Sequence, residues 1–225
     1  MSVTLAELRT ACRDDADMAN SGFVDDSEID RRINHAIKRL YEMLVIARGA
    51  DYYRTSATIT TTAGVATSSQ PATLLQLLGL DVTLGGTVVE IDRLDWARRN
   101  DFQNVQGWSG SGIYYLPEGA SLRWFPTPDA AHSVTCWHIP QAITLVNAAD
   151  TFDAIHGFED WVIADVAVRM LAKEESDTSA EAAIKMDVER RIQAMIPARD
   201  AKPLRPADVR RRFSSQYGPD GWEEC

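Results

Sequence analysis

The feature that most constrains this chain is a change of hydrophobic period, because helical regions enclose a long segment that repeats like strands. In residues 25–48 apolar side chains recur every three or four positions, which predicts an amphipathic helix; they are Ile29, Ile33, Ile37, Leu40 and Leu44. Residues 158–173 are apolar on nearly every side, and residues 178–196 again show a helical stripe. From residue 55 the pattern alternates and β-branched residues are frequent. The chain is therefore expected to be an α+β protein.

Helix-capping residues and turns divide the chain further. Thr4 and Glu7 fit a capping box, Asp25 can cap the second helix, and Thr178 and Glu181 fit another capping box. We expect a helical bundle made of an N-terminal helix pair and two C-terminal helices, with a β-rich insertion and an extended C-terminal tail. The predicted ranges are 1–50 and 157–201 for the helical body, 51–156 for the insertion and 202–225 for the tail.

Within the insertion, short strands alternate with well-marked turns. Residues 92–100 are predicted to form a short helix, and residues 71–80 stay open between turn, helix and strand. The predicted strands are 56–61, 88–91, 113–116, 122–125 and 134–139.

The charge of the chain limits what it can bind. The net charge is −10, with −11 on residues 1–201 and +1 on residues 202–225. Phosphate binding needs a positive surface, so an acidic body argues against wrapping a nucleic acid and suits a surface that nucleic acid slides past. Three scattered cysteines predict no disulfide framework and fit a reducing compartment. Neither a signal peptide nor a membrane span is predicted.

The residues that could carry chemistry stand alone. Cys136 and His138 share a strand face, but two ligands do not make a zinc site. The acidic stretch from Asp14 onward lacks the ligand spacing and glycine of a calcium loop. A cell-wall hydrolase would need paired carboxylates, whereas Glu118 and the aspartates at 92 and 95 occur singly. We predict no catalytic residue, metal or cofactor, and hence no enzyme.

Two sets of residues are predicted to act in contacts. The tail is either a solvated, disordered segment or a docking segment. In a docking segment the arginines would bind acidic grooves and the apolar residues would anchor the contact. The candidate docking residues are Arg205, Val209, Arg210, Arg211, Arg212, Phe213 and Trp222. The helix at 158–173 is expected to serve the core, an intersubunit face or both, through Phe158, Trp161, Val162, Val166 and Met170.

Several segments together resemble tailed-phage head–tail connector (adaptor) proteins. These are residues 153–177 (DAIHGFEDWVIADVAVRMLAKEESD), the later Ala198-Arg199-Asp200 with its arginine-bearing tail, the opening from Leu8-Arg9 through Phe23 to Ala36, and Ile113-Tyr114-Tyr115 followed by Leu122 to Pro128. The resemblance covers most of the chain, and its motifs are structural.

The resemblance implies a structural virion protein at the head–tail junction, assembled in the host cytoplasm. Such a protein forms a closed ring, typically of about twelve copies, in which each copy presents two different surfaces. Its partners are the portal protein, a tail, stopper or nozzle protein and further copies of itself, while double-stranded DNA passes through the lumen without specific binding. The alternatives are another tail or baseplate protein, a virion-associated cell-wall hydrolase and, last, a DNA-binding regulator.

Overall fold

A computed structural model describes residues 2–19, 22–102, 107–108, 112–153 and 157–196, except for the side chains of residues 51 and 153. The helices are α1 (Leu5–Asp15), α2 (Asp26–Arg48), the short α3 (Ala50–Tyr53), α4 (Glu159–Lys173) and α5 (Ser179–Gln193). The strands are β1 (Ser2–Thr4), β2 (Thr55–Thr60), β3 (Thr67–Ser69), β4 (Leu74–Leu84), β5 (Thr87–Glu90), β6 (Asp92–Arg93), β7 (Tyr114–Glu118), β8 (Ser121–Phe125), β9 (Ser133–Pro140) and β10 (Thr151–Asp153). The predicted tail, 202–225, lies outside the described residues.

The first two helices begin at the predicted caps. The Thr4 hydroxyl accepts a hydrogen bond from the backbone N–H of Glu7 at 3.2 Å, and the Glu7 carboxylate accepts one from the Thr4 N–H at 2.8 Å. The Asp25 carboxylate likewise accepts from the backbone N–H of Glu28 at 2.7 Å. Each bond pairs an amide that the helix itself leaves free. Both predicted caps are confirmed.

The capping box predicted at the start of α5 is wrong. Thr178 has φ −107° and ψ 4°, which is not the extended backbone of a capping residue, and its side chain makes no cap. Asp177 takes over instead, since its carboxylate accepts from the Ser179 N–H at 3.0 Å and from the Ser179 hydroxyl at 2.8 Å.

The helices share one hydrophobic core. The apolar stripe of α2 is buried, and α4 packs against α1, α2 and α5 at once, which explains why α4 is apolar on nearly every side. The core also includes Leu145 and Phe152, which follow β9 in the chain. Asn34 on α2 holds this returning segment, because its side-chain amide exchanges two hydrogen bonds with the backbone of Leu145, at 2.8 and 2.9 Å.

The strands build a second core between two four-stranded sheets. One sheet has the order β2-β9-β4-β5 and the other β3-β8-β7-β6, and their pairs are antiparallel except β6 with β7. The inner faces bury apolar and aromatic side chains, among them Leu80, Val82, Leu122, Trp124 and Val134. A third, two-stranded sheet pairs β1 with β10 and so brings the start of the chain beside the segment that leads into α4.

The α+β class is confirmed, and all five predicted strands are present with boundaries shifted by a residue or two. The ambiguous segment 71–80 belongs largely to β4. The short helix predicted at 92–100 is wrong, since β6 is followed only by a 3-10 turn at Trp96–Arg98. A simple helical bundle is too narrow a description of the α-helical part, because the β1–β10 sheet and Leu145 contribute to the same region. Among the described residues, no helix is both long and apolar enough for a membrane crossing.

Candidate interaction surfaces

The structure places the predicted contact residues of α4 inside the subunit. All five are at most 5% exposed and lie in the helical core: Phe158, Trp161, Val162, Val166 and Met170. An additional role at an intersubunit face stays a prediction. The seven residues predicted in the docking tail, from Arg205 to Trp222, lie outside the described residues.

The main polar feature of the helical part is a buried carboxylate on α4. The Asp165 side chain is only 2% exposed, and three cations surround it. Arg39 of α2 and Lys185 of α5 donate to Oδ1 at 3.0 and 2.7 Å, while the Arg169 guanidinium lies 3.0 Å from Oδ2. A buried carboxylate needs such partners, because desolvation would otherwise cost several kcal/mol, on the order of 3–5. Asp165 therefore ties α2, α4 and α5 together.

Trp161 lies beneath two of these cations. The Arg39 guanidinium carbon is 5.5 Å and the Lys185 ammonium 5.4 Å from the centroid of the indole ring, within the range of cation–π attraction. The indole N–H donates to the Glu189 carboxylate at 3.1 Å. These contacts restrict the rotamers of Arg39 and Lys185, so the positive charges are held in place before any partner arrives.

The outer side of this cluster is a basic face, which we define as His35, Lys38, Arg39 and Arg169. These four side chains line an open depression of about 460 Å³ on α2 and α4. Arg39 and Arg169 both pair with Asp165, which is buried below them. One negative charge therefore faces two arginines and Lys38, so the face keeps a net positive charge. In the described part of the chain Lys38 has no carboxylate within ion-pair distance. An arrangement of this kind can bind carboxylates or phosphates.

An acidic face lies where α1 ends and α4 and α5 begin; we define it as Asp14, Asp15, Asp160 and Glu181. Burial, together with the nearby charges of Asp14 and Asp160, raises the pKa of Asp15. Burial and the Asp15 charge raise the pKa of Glu181, whose Oε2 is shielded from solvent and lacks a hydrogen-bond partner among the described residues. The like charges repel one another, so a cation brought to this face would stabilise it.

The β part carries an open groove of about 580 Å³ beside the inner aromatic core. Phe102, Trp124 and Phe125 line it together with the guanidinium groups of Arg99 and Arg123. Arg123 is already paired with Glu118, in a hydrogen bond from Nε to Oε1. The groove combines apolar rings with charge, which suits a protein segment better than a small reactive substrate.

Three of the residues considered for chemistry, Cys136, His138 and Asp95, make structural contacts. Cys136 is buried, which raises the pKa of its thiol to about 11, and the neighbouring His138 ring contacts the Cys136 carbonyl at 3.2 Å. Asp95 caps the 3-10 turn by accepting from the Ala97 N–H at 3.0 Å. Within the described residues, histidine, cysteine and carboxylate side chains form no group of three that could hold a metal ion.

Sequence reasoning anticipates only part of the Asp165 cluster. Asp165 and Arg169 are four residues apart on α4, a spacing at which opposite charges on a helix can pair, and the structure places them 3.0 Å apart. The sequence pattern does not identify Arg39, which is 126 residues away, or Lys185 as partners. The available signal is a carboxylate in the apolar middle of the helix, since a buried carboxylate requires cations from neighbouring elements.

Comparison with known families gives one match. Residues 3–212, more than nine-tenths of the chain, match the family described as SU10 adaptor protein. No curated protein matches the sequence.

Proposed function

This chain belongs to the SU10 adaptor protein family, and from that premise we propose that it forms a ring joining the portal of a phage capsid to the tail. The family is a phage adaptor family, so the chain is a structural adaptor and a component of the virion. The match over residues 3–212 is the observation that carries the proposal, because it includes the helices, both four-stranded sheets and the first part of the tail.

The partners follow from the adaptor role. We propose the portal protein on one side and a tail, stopper or nozzle protein on the other, with about twelve copies of this chain in a closed ring. Double-stranded DNA would pass through the lumen without specific binding. The net charge of −10 supports free passage, because an acidic wall repels phosphates. Assembly in the host cytoplasm and a function without enzymatic activity belong to the same proposal.

We also propose a division of labour along the chain. Residues 1–50 and 157–201 would form the ring body, residues 51–156 would dock on tail components, and residues 202–225 would latch onto the portal. The two separate hydrophobic cores support the first part of this division, because each can hold its own region together. The aromatic groove beside Trp124 supports docking by the β part. Arg205, Arg210 to Arg212, Phe213 and Trp222 would anchor the tail.

The test is a binding experiment with portal rings of the same phage. The full chain should co-sediment with portal, and a chain truncated after Asp200 should bind at least tenfold more weakly, since it lacks the arginine and aromatic anchors. A truncation after Gly218, which removes Trp222 but keeps the arginines, serves as a graded control. Undiminished binding by the chain that ends at Asp200 would refute the role of the tail. Failure of the full chain to bind portal, combined with binding to tail tube, would favour another tail or baseplate protein.

A further inference from the structure

We propose that the basic face of one copy binds the acidic face of the next copy and that this contact closes the ring. The inference rests on the proposed ring and adds the surfaces that form it. A ring contact joins two different surfaces of the same chain, and this chain carries two surfaces of opposite charge.

The basic face is built for a carboxylate-bearing partner. Arg39 is held by Asp165 and by the Trp161 ring, Arg169 lies 3.0 Å from the Asp165 carboxylate, and Lys38 is exposed on α2 close to Arg39. Cations that are already ordered lose little side-chain entropy when they bind. The depression at this face is open and shallow, which suits another protein surface better than an enclosed ligand.

The two faces point away from each other, as a ring contact requires. Asp160 and Arg169 lie nine residues apart on α4, and because a helix turns by about 100° per residue they project about 180° apart around its axis. One subunit therefore cannot satisfy its basic face with its own acidic face. In a ring both faces are paired, because each copy contacts one neighbour through its basic face and the other neighbour through its acidic face.

A second copy fits the basic face better than nucleic acid does. The acidic face keeps like charges together, with the Glu181 Oε2 shielded and unpaired among the described residues, so it gains from an incoming cation. DNA could neutralise only the basic face and would leave the acidic face as it is. The net charge of −10 would also repel DNA from most approaches.

Charge reversal tests the contact without touching the core. The first variant combines His35→Glu with Lys38→Glu, two exposed positions of α2 outside the Asp165 cluster. The second combines Asp14→Lys with Asp15→Lys at the end of α1, where lysine also suits the helix dipole. Matched controls carry the same charge changes on the β part: Thr87→Glu with Arg93→Glu, and Glu90→Lys with Asp92→Lys, all at exposed positions.

Sedimentation velocity and native mass spectrometry would follow self-association, alone and on portal rings. We expect each face variant to assemble at least tenfold more weakly than the wild type, and an equal mixture of the two variants to recover assembly, because their reversed faces complement each other. The controls should assemble normally, and circular dichroism should show the wild-type spectrum for every variant.

Three results would overturn the proposal. They are normal assembly of either face variant, a mixture of variants that stays unassembled, and a wild-type protein that does not self-associate either alone or on portal. Salt-sensitive binding of duplex DNA that His35→Glu with Lys38→Glu abolishes, while assembly persists, would assign the basic face to nucleic acid instead. Portal binding by the monomeric variants would show that the adaptor function stands even when this interface fails.

Discussion

Replacing Asp165 with asparagine tests whether the buried carboxylate holds α2, α4 and α5 together. The substitution keeps the size of the side chain and removes its charge. Arg39, Arg169 and Lys185 then remain close together without an anion between them. Their mutual repulsion and the lost charge-assisted hydrogen bonds should both destabilise the folded state.

The size of the effect follows from the exposure of the partners. Breaking a buried ion pair costs about 3–5 kcal/mol when the remaining charge stays buried. Here the side chains of Arg39, Arg169 and Lys185 are 50, 37 and 22% exposed, so they can turn partly toward water. We therefore expect Asp165→Asn to lower the free energy of unfolding by about 2–3 kcal/mol. For a chain of this size that corresponds to a decrease of roughly 4–12 °C in Tm.

Urea unfolding followed by far-UV circular dichroism measures this loss on the helices. Asp187→Asn removes the same charge from an exposed position of α5 and should leave Tm within about 1 °C of the wild type. A double-mutant cycle with Lys185→Met should give a coupling energy of about 1 kcal/mol or more, because Lys185 donates to Asp165 at 2.7 Å. A loss below about 0.5 kcal/mol for Asp165→Asn, with no coupling, would refute the reasoning.

Three further predictions concern helix caps and the acidic face. Thr4→Ala should lower stability by about 1 kcal/mol in urea unfolding, since it removes one half of the capping box of α1. Asp177→Ala should lower Tm more than Thr178→Ala does, because Asp177 makes the cap of α5, and the opposite order would contradict the structure. The raised pKa of Glu181 means that the folded state holds the proton more tightly than the unfolded state, so this residue favours folding at low pH and the advantage is lost as pH rises through the raised pKa. Glu181→Gln should therefore raise Tm at pH 7. This gain should shrink toward zero below pH 4.5, the ordinary pKa of a glutamate side chain, and an equal gain at both pH values would contradict this cause.

The helices and most strands could be predicted because their signals are local. The stripe of α2, its Asp25 cap and the alternation in β2 all lie within a few residues of the structure they specify. The segment around β4 is ambiguous for an equally local reason. Its leucines do not alternate with polar residues, and Gly79 interrupts them at a place where the pairing with β9 shifts register.

The parts that could not be predicted depend on contacts between distant residues. The β1–β10 pair joins two three-residue strands that are almost 150 residues apart, and neither strand is long enough to give a periodic signal. The Asp165 cluster gathers cations from three helices. The cap of α5 lies one residue from its predicted position, because both Asp177 and Thr178 have suitable side chains and only the backbone conformation decides between them.

The position of the basic face in the ring decides whether the net charge of the chain predicts how the protein interacts with DNA. The net charge of −10 indicates a body that phosphates avoid, yet the structure gathers His35, Lys38, Arg39 and Arg169 on one surface. If that surface lined a DNA channel, each phosphate contact would hold the DNA and make its passage sensitive to salt. If it is covered by the acidic face of a neighbour, the two charges are neutralised together and the rest of the surface keeps its acidic character. Free DNA passage and a charge-paired subunit contact thus require the same placement of the basic face. A variant that disrupts assembly and leaves its basic face uncovered, such as Asp14→Lys with Asp15→Lys, should therefore also begin to bind DNA.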